Sequence, residues 1–326
     1  MPERFRIGTY NVQNLFDRFD DPYSVGDDRY GLFRTVPKSR SKLYDMGVRI
    51  RENGVGSRPI DIVGLQEIES FGALLDFVQA SVGPDYGAKT GVVSQPSNDP
   101  RGIDLGLICT RHFRIGRITS HRFHKFRRSD GALYQFGRDC LQVEILDEDR
   151  EELVLTAFIC HFKSKYTGID PFSDPAGYEA EQALNTIKRS AEVNEVIDIV
   201  SRAVDVTRDR FVIVGDFNDT PDSTPLQPLL GENNVLGVVD ALTVIDQPDE
   251  APASPVRRPR DTHMWKRPQA DGSRVEEWAQ IDYILCSQAL WALSTGHADV
   301  INSPKDQGSD HYLAYAEFFD PATATG

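Results

Sequence analysis

The spacing of short apolar runs constrains the fold of this chain more strongly than any other feature of its sequence. Eight runs rich in β-branched and aromatic residues predict strands, at residues 5–10, 60–65, 103–109, 140–146, 153–160, 211–214, 281–286 and 312–319. Three segments have helical spacing instead, at residues 41–51, 71–82 and about 178–206. Because strands and helices do not alternate regularly, the pattern differs from that of a doubly wound parallel sheet.

One pair of runs predicts a local hairpin. Residues 141–146 and 153–160 are separated only by the polar segment DEDREE, which favours antiparallel pairing. We therefore expect mixed sheets with helices packed outside them. No internal repeat and no long linker divides the 326 residues, so we expect a single domain over residues 1–326.

Composition is typical of a globular protein, with 40% apolar and 26% charged residues. The N-terminus lacks the apolar segment of a secretory signal, and no apolar run approaches the ~18 residues of a membrane span. We expect a cytoplasmic protein, secreted only if a signal has been removed, with no membrane contact and no obligate protein partner. Four cysteines lie in or beside apolar runs without metal-site spacing, which indicates buried, reduced thiols: Cys109, Cys140, Cys160 and Cys286.

Polar residues interrupt the predicted strands at corresponding ends. Four of them follow a strand within two residues: Asn11, Glu67, His161 and Asp216. Four others lie at or just before the start of a strand: Asp104, Asp282, Asp310 and His311. In a mixed sheet, the C-terminal ends of strands in one direction share an edge with the N-terminal ends of strands in the other. We therefore expect all of these side chains on one rim of the molecule.

Basic residues are concentrated in two stretches of an acidic chain. The net charge of −14 argues against a protein that coats nucleic acid over its whole surface. Residues 101–138 nevertheless contain nine Lys/Arg and two acids, a local charge of +7, and residues 255–274 contain six and two, a local charge of +4. Both stretches lead into strands that start at the rim, so we expect positive walls around a site for an anionic substrate.

Three oxygen-bearing residues of the rim suit a divalent metal. Glu67, with Asn11 and Asp310 nearby, would supply the hard oxygen ligands that Mg²⁺ prefers, and such an ion polarises phosphoryl oxygens. Taken singly, Asn11 is explained as a strand end and Glu67 as a solvated carboxylate at the start of a helix.

The remaining rim residues suit water attack on phosphorus. Asp282 and His311 would form a pair that orients or charges an imidazole, Asp216 would activate the water, and Asn218 would donate to the developing charge. Residues 215–219 alone are a good turn sequence, whereas Asp282 inside an apolar strand requires a partner. The other histidines are assigned to solvated or substrate-loop positions: His112, His121, His124, His263 and His297.

Six stretches together resemble the endonuclease/exonuclease/phosphatase superfamily, which includes deoxyribonuclease I and exonuclease III. They are TYNVQNLF at 9–16, LQEI at 65–68, CHFKSK at 160–165, VGDFND at 214–219, QIDYIL at 280–285 and SDH at 309–311. They occur in the order of the family and span nearly the whole chain. The resemblance implies a deoxyribonuclease I-like α+β fold, a four-layer α/β/β/α sandwich of two mixed sheets with its site at one end.

The resemblance also implies the ligands of the metal. Glu67 is the principal ligand of Mg²⁺ or Mn²⁺, helped by Asn11 and Asp310. Gln13 stands where some abasic-site endonucleases have a second acidic ligand, which puts a second metal subsite in doubt.

The resemblance implies roles for the other rim residues as well. Asp282 and His311 are the Asp–His pair, Asp216 orients the water, and Asn218 stabilises the transition state. By the same resemblance, His161 corresponds to the phosphate-contacting histidine of the family. Arg101 and Asp104 would support it. The triplet at 281–283 is Ile-Asp-Tyr rather than the Cys-Asp-Arg of inositol polyphosphate 5-phosphatases, which counts against that branch. The sequences of the motifs most resemble those of bacterial nucleases of the superfamily.

The leading hypothesis is therefore a metal-dependent nuclease that cleaves DNA or RNA. Its backbone contacts would come from Arg127, Arg128, Lys163, Lys165, Arg257, Arg258 and Lys266, with Trp265 stacking on a base. A second hypothesis keeps the chemistry but changes the substrate to an inositol phosphate, a phospholipid or a small nucleotide. A third is a catalytically silent module that holds a phosphorylated partner, which would not need the pairing of Asp282 with His311.

Overall fold

The computed structural model describes residues 1–17, 38–52, 58–87, 91–247, 257–269, 271–302 and 308–323. Two mixed sheets of six strands dominate these residues. The first has the order β15-β16-β1-β2-β4-β3 and consists of β1 (Arg4–Leu15), β2 (Ile62–Ile68), β3 (Val92–Gln95), β4 (Asp104–Cys109), β15 (Ser294–Val300) and β16 (Ala314–Phe319). The second has the order β11-β14-β10-β9-β8-β5 and consists of β5 (Phe113–Ser120), β8 (Cys140–Asp147), β9 (Leu153–His161), β10 (Phe211–Asp216), β11 (Val239–Asp240) and β14 (Asp282–Cys286).

Two small hairpins and several helices complete the described part of the chain. The hairpins are β6–β7 (Lys125–Arg127 and Leu133–Gln135) and β12–β13 (His263–Pro268 and Arg274–Ala279). The helices are α1 (Arg40–Arg51), α2 (Phe71–Phe77, continued by a π-helical turn at Val78–Val82), α3 (Pro175–Ala203), α4 (Gln227–Leu230) and α5 (Gln288–Trp291), with 3₁₀ turns at Thr224–Leu226 and Ala241–Val244. No described helix combines the length and apolarity needed to cross a membrane.

The apolar side chains form three layers of core between four layers of structure. One cluster lies between the sheets, where Ile7 of β1 packs in the same cluster as Val143 of β8. A second lies between the second sheet and α3, and a third between the first sheet and α1 and α2. Both faces of each sheet are therefore covered, which explains why the central strands are apolar without strict alternation. The expected four-layer α/β/β/α arrangement is confirmed.

Local predictions fail mainly at the edges of the sheets. The pattern did not predict β3, β5, β11 or β15, which are the outermost strands of the two sheets. Edge strands face solvent on one side and carry more polar residues, so their apolar signal is weak. The predicted hairpin is confirmed by the antiparallel pairing of β8 with β9. The four cysteines are buried and free, as expected.

Strand directions bring the polar rim residues to one end of the sandwich. In the first sheet β1 and β2 run parallel, and Asn11 pairs in register with the residue before Glu67. In the second sheet Asp216 of β10 lies opposite His161 of the parallel β9 and Asp282 of the antiparallel β14. The polar ends of five strands thus meet where the two sheets face each other.

Candidate active site

The carboxylate of Asp216 lies at the centre of the rim and is 2% exposed. Its Oδ2 accepts a hydrogen bond from Asn11 Nδ2 at 3.1 Å and lies 3.5 Å from His161 Nε2 and 3.7 Å from His311 Nε2. Asn11 comes from the first sheet and Asp216 from the second, so this contact joins the sheets across the site. Three polar groups therefore converge on one carboxylate oxygen.

His311 is held as part of a buried ion pair. Its Nδ1 lies 2.9 Å from Asp282 Oδ2, and Asp282 is fully buried. Burial alone would lower the pKa of His311, but the carboxylates of Asp282 and Asp216 outweigh it and raise that pKa to about 10. His311 is therefore an imidazolium at neutral pH.

Hydrogen bonds behind this pair fix both partners. The hydroxyl of Thr262 accepts the main-chain N–H of Asp282 at 3.0 Å. Ser309 Oγ accepts the main-chain N–H of His311 at 3.0 Å and donates to the carbonyl of Asn11 at 2.7 Å. Three separate segments are thus tied together beneath the pair.

Burial raises the pKa of Asp216 to about 7, with a further contribution from Asp282, while the positive charge of His311 opposes the rise. A carboxylate with such a pKa accepts a proton more readily than an ordinary aspartate at neutral pH. Asp216 is therefore suited to act as a base.

The turn after β10 places Asn218 beside Asp216. The main-chain N–H of Asn218 donates to Asp216 Oδ1 at 2.8 Å, and its Nδ2 donates to the carbonyl of Phe162 at 3.1 Å. A Cβ atom at Gly215 would lie 1.9 Å from the carbonyl oxygen of Cys160, so only glycine permits this approach of β10 to β9.

His161 is neutral. Burial lowers its pKa well below the usual value, and the charges of Arg138 and Arg101 lower it further. Its Nδ1 has no hydrogen-bond partner among the described residues. Arg101 acts on His161 through its charge and pairs with Asp99 at 3.1 Å, whereas Asp104 accepts the main-chain N–H of Ser97 at 2.7 Å. No hydrogen bond or ion pair between Asp104 and His161 is found among the described residues, so the support of His161 by Asp104 stays a prediction.

Glu67 and Asp310 form a more open edge of the site, where their side chains are 12% and 41% exposed. Glu67 Oε2 accepts the main-chain N–H of Asn14 at 3.0 Å, and Oε1 lies 3.6 Å from Arg101. Burial would raise the pKa of Asp310, but neighbouring His263, 3.7 Å away, and His311 lower it to about 2. Both carboxylates thus have a cationic group nearby.

Lys38 is a cation on which both carboxylates of this edge act. Burial lowers the pKa of its ammonium to about 8, and the charges of Asp310 and Glu67 act in the opposite direction. Two carboxylates therefore act on one cationic position. Asn11 adds a hard oxygen, since its amide nitrogen faces Asp216 and its Oδ1 faces the N–H of Gln13. This donor set fits a divalent cation that prefers oxygen ligands.

Two other groups of side chains have ligand atoms within 4.8 Å of one another: Asp216, Asp282 and His311, and His263, Asp310 and His311. Both depend on His311. Mg²⁺ prefers oxygen ligands, so the edge formed by Asn11, Glu67 and Asp310, which offers oxygens alone, is the candidate that fits this ion best.

Backbone strain is concentrated at the site. Among the described residues, five non-glycine residues have positive φ, and four of them belong to the rim: Gln13, Asn14, Glu67 and Asn218. Such conformations cost on the order of 1–3 kcal/mol each and persist where surrounding contacts impose them. The strain at Glu67 coincides with register shifts in the pairing of β2 with both neighbouring strands.

The two basic stretches border the site through their hairpins. His263 of β12 forms a β-bridge with His311. Tyr134 of β7 donates to Glu192 at 3.0 Å, and Glu192 also accepts the main-chain N–H of Lys163. The β12–β13 hairpin thus lies beside the His311 segment and the β6–β7 hairpin beside the Lys163 loop. Positions 255, 256 and 270 of the second stretch lie outside the described residues.

Many of the expected substrate cations already have partners in the protein. Arg128 pairs with Asp130, and Lys165 with Asp219. Arg257 donates to the carbonyl of Val300 at 3.0 Å. The same holds for Arg127, bonded to a carbonyl, and for Arg258 and Lys266, each beside a carboxylate. Lys163 has no side-chain hydrogen bond or ion pair among the described contacts, and its charge helps to lower the pKa of His161.

His263 is a site residue that sequence reasoning assigned to a solvated or loop position. Its ring lies 4.4 Å from that of His311 and stacks on Trp265 at 5.8 Å with an interplanar angle of 17°. The spacing of two between His263 and Trp265 was the available signal, because it puts both on one face of a strand. Lys38 and Arg138 were missed as individual site residues, and no motif marks either of them.

Comparison with known proteins places this geometry in a family. A family model described as Endonuclease/Exonuclease/phosphatase family matches residues 6–241. No curated protein matches the sequence.

Solved structures share the fold. A family protein from Bacteroides thetaiotaomicron is 14% identical with a TM-score of 0.60, covering 98% of this chain and 96% of that one. The human Nocturnin catalytic domain is 14% identical with a TM-score of 0.53, at 97% and 93% coverage. A mannosyl-6-phosphatase from Bacteroides thetaiotaomicron is 14% identical with a TM-score of 0.53, at 96% and 98%. With the match to the family model, these findings show that the chain belongs to the endonuclease/exonuclease/phosphatase family, whose members hydrolyse phosphoric esters.

Proposed function

We propose that this protein is a phosphodiesterase, dependent on Mg²⁺ or Mn²⁺, that cleaves DNA or RNA by attack of water on phosphorus. The observation that carries the proposal is a pair of groups that face each other: His311, a buried imidazolium, and Asp216, a carboxylate of raised pKa. His311 Nε2 and Asp216 Oδ2 are 3.7 Å apart. A base and a fixed positive charge at that separation match the needs of an attacking water and an anionic phosphoryl group.

The proposed mechanism begins with Asp216. Its carboxylate orients a water molecule and takes a proton from it as the water oxygen bonds to phosphorus. Asn11 holds the carboxylate through its hydrogen bond of 3.1 Å. The ester oxygen leaves with the electron pair of the broken P–O bond and takes up a proton from solvent, and Asp216 returns its proton to solvent.

Three side chains stabilise the charge that develops on the phosphoryl oxygens. His311 contributes a positive charge fixed by Asp282, while His161 and Asn218 contribute neutral donors. Because all are preorganised by contacts within the protein, little reorganisation accompanies the reaction. A divalent cation held by Glu67, Asn11 and Asp310 would supply Lewis-acid stabilisation of the phosphoryl and leaving oxygens.

The hairpins support a nucleic-acid substrate. Lys125 and Arg127 of β6 and Lys266 and Arg267 of β12 have exposed side chains on the two hairpins that border the site. Cations on both sides suit a substrate that carries phosphates beyond the one cleaved. Trp265 is half-buried beside His263 and would provide a stacking surface for a base.

A second candidate is a phosphatase or phosphodiesterase for inositol phosphates, phospholipids or small nucleotides. The observation that favours it is the pairing of the hairpin cations with carboxylates of the protein, such as Arg267 with Glu277. Cations that are already paired contribute less to a long anionic substrate. The same catalytic residues would serve both substrates.

The test compares supercoiled DNA, linear DNA, single-stranded DNA, RNA and phosphoinositides as substrates, with Mg²⁺, Mn²⁺ or EDTA. We expect metal-dependent cleavage of at least one nucleic acid that EDTA abolishes and Asp216→Asn reduces. Asp209→Asn, an exposed change remote from the rim, is the matched control. Turnover of phosphoinositides alone would support the second candidate and overturn the nuclease.

A further inference from the structure

Helix α3 buries three polar side chains on one face. Asn185 and Glu192 are fully buried and Arg189 is 2% exposed. The spacings of four and three residues place them above one another on the helix. Burial of charged groups costs several kcal/mol per ion unless hydrogen bonds compensate it. The partners of these three residues therefore indicate why the helix carries them.

Glu192 joins two loops of the rim. Its Oε2 accepts the main-chain N–H of Lys163 at 2.6 Å. Its Oε1 accepts the main-chain N–H of Gly137 at 2.9 Å and the hydroxyl of Tyr134 at 3.0 Å. The carboxylate thus fixes the segment after β9 and the segment before β8 with respect to each other. Its charge also acts on neighbouring Arg138.

Arg189 joins the Lys163 loop to the turn that carries Asn218. Its Nη1 donates to the carbonyl of Lys163 at 2.7 Å. Its Nε and Nη2 contact Asp219 Oδ2 at 2.8 and 2.7 Å. Asn185 adds a hydrogen bond of 3.2 Å from its Nδ2 to the carbonyl of Tyr166. Both the N–H and the carbonyl of Lys163 are therefore bound by side chains of α3.

The segments held in this way adjoin two donors of the proposed mechanism, because His161 lies two residues before Lys163 and Asn218 lies next to Asp219. The side chains of Lys163 and Arg138 lie close enough to His161 to lower its pKa. Arg138 Nη1 donates to the carbonyl of Phe162 at 3.2 Å, to which Asn218 also donates. A shift of the Lys163 loop would therefore move several donors together.

We propose that Glu192 and Arg189 are positioning residues of the active site, which act through the main chain of Lys163 to aim the Lys163 side chain at the phosphoryl group and, through Asp219, to hold the turn that carries Asn218. This inference rests on the proposed function, because it assigns these residues to the same reaction. They touch neither substrate nor metal. Misplacement of reacting groups by about 1 Å can cost on the order of 100-fold in rate, so small loop shifts have measurable effects.

Glu192→Gln is the central test, with Glu195→Gln as its matched control. Gln has the shape of Glu but one acceptor oxygen fewer, so in either orientation its amide NH₂ faces the main-chain N–H of Lys163 or Gly137. Glu195 lies one turn later on α3, is 7% exposed, and bonds the side chains of His124 and Arg202 rather than the rim. Both variants therefore replace a buried Glu of α3 by Gln. They differ in the groups that the carboxylate binds, which are rim loops for Glu192 and the side chains of His124 and Arg202 for Glu195.

For Glu192→Gln we expect kcat to fall about 10- to 100-fold with a much smaller change in KM. Glu195→Gln should retain kcat within about twofold. In the Lys163→Ala background, Glu192→Gln should have a clearly smaller effect than in the wild type, because both changes act on one group. Equal losses in the two backgrounds, or equal losses for the two Gln variants, would overturn the proposal.

Hydrogen exchange provides a readout that does not depend on activity. Amides of residues 162–166 and 134–138 should exchange faster in Glu192→Gln than in Glu195→Gln, while the central strands stay protected. Arg189→Lys, which keeps the charge but loses the forked contacts, should raise exchange at 162–166 as well. Unchanged exchange in both variants would refute the positioning role. An inactive wild-type protein with the expected exchange would instead refute the proposed function alone.

Discussion

The two halves of the site differ in how far they are exposed to solvent. The acid–base cluster, formed by His161, Asp216, Asp282 and His311, is at most 6% exposed. Its members contact one another within 2.9–3.7 Å. The metal edge, formed by Asn11, Glu67 and Asp310, includes a carboxylate that is 41% exposed. One half is buried throughout, whereas the other runs from the buried Asn11, 2% exposed, to a carboxylate at the surface.

The difference in exposure suits the two halves to different tasks, electrostatic catalysis for the cluster and cation binding for the metal edge. Buried hydrogen bonds and a paired charge fix the cluster before any substrate arrives, which is the arrangement expected for electrostatic catalysis. The carboxylates of the metal edge are Glu67 and Asp310, and the negative charges of both act on the neighbouring ammonium group of Lys38. Changes in the cluster should therefore affect the rate of the chemical step, and changes at the edge should affect the metal requirement.

The largest expected effect comes from removing the base of the cluster. Asp216→Asn keeps the shape of the side chain but cannot accept a proton from water, so we expect kcat to fall about 10²- to 10⁴-fold. The Mg²⁺ concentration for half-maximal activity should stay nearly unchanged. Steady-state kinetics over a Mg²⁺ titration measures both quantities. A large shift in the Mg²⁺ requirement would show that the two halves are not separate.

A complementary change tests the metal edge. Glu67→Gln removes the charge of the expected principal ligand, so we expect the half-activating Mg²⁺ concentration to rise on the order of 10- to 100-fold. Saturating metal should restore a substantial part of kcat, in contrast to Asp216→Asn. Mg²⁺ binding measured by calorimetry without substrate should weaken in parallel. Normal metal affinity in this variant would remove Glu67 from the metal edge.

The sequence predicted the parts of the site that depend on strand direction. Asp216, His161 and Asp282 end or begin neighbouring strands, so their convergence follows from the order of apolar runs and from the pairing rules of mixed sheets. The family resemblance assigned the same residues through short motifs. The four-layer fold was implied by that resemblance, since apolar spacing alone predicts sheets and helices but not their layers.

Residues that act through tertiary contacts could not be found in this way. Arg189 and Glu192 resemble the solvated face of an amphipathic helix, and only the folded chain shows that this face is buried under the rim loops. His263 was missed because the polar strand β12 has no apolar signal. For Asp104, spacing identified a rim position, but the direction of the side chain toward Ser97 depends on a loop.

The charge of the cluster predicts a pH-dependent stability. The pKa of His311 is raised from about 6.5 to about 10, so its contribution to stability is complete below pH 6.5 and is lost as the pH rises through 10. The free energy of unfolding of the wild type should therefore fall, relative to His311→Gln, between pH 7 and pH 10. We expect a difference on the order of 2 kcal/mol or more, since one unit of pKa corresponds to about 1.4 kcal/mol. Urea unfolding at several pH values measures it, and parallel curves for the two proteins would contradict the ion pair.

The smallest expected effect concerns Asp104, which lies on the rim but outside both halves of the site. Burial raises its pKa to about 7, so its contribution to stability is complete below pH 4 and is lost as the pH rises through 7. At pH 8 Asp104→Asn should raise the free energy of unfolding by about 1 kcal/mol, because the amide oxygen still accepts the N–H of Ser97 while the buried charge is gone. At pH 5 the difference should shrink toward zero or reverse. Urea unfolding at the two pH values decides this, and a variant that is less stable at pH 8 would show that Asp104 needs its charge. Asp104 and the nearby charge of Arg122 would then form a third charged centre on the rim, beside the acid–base cluster and the metal edge.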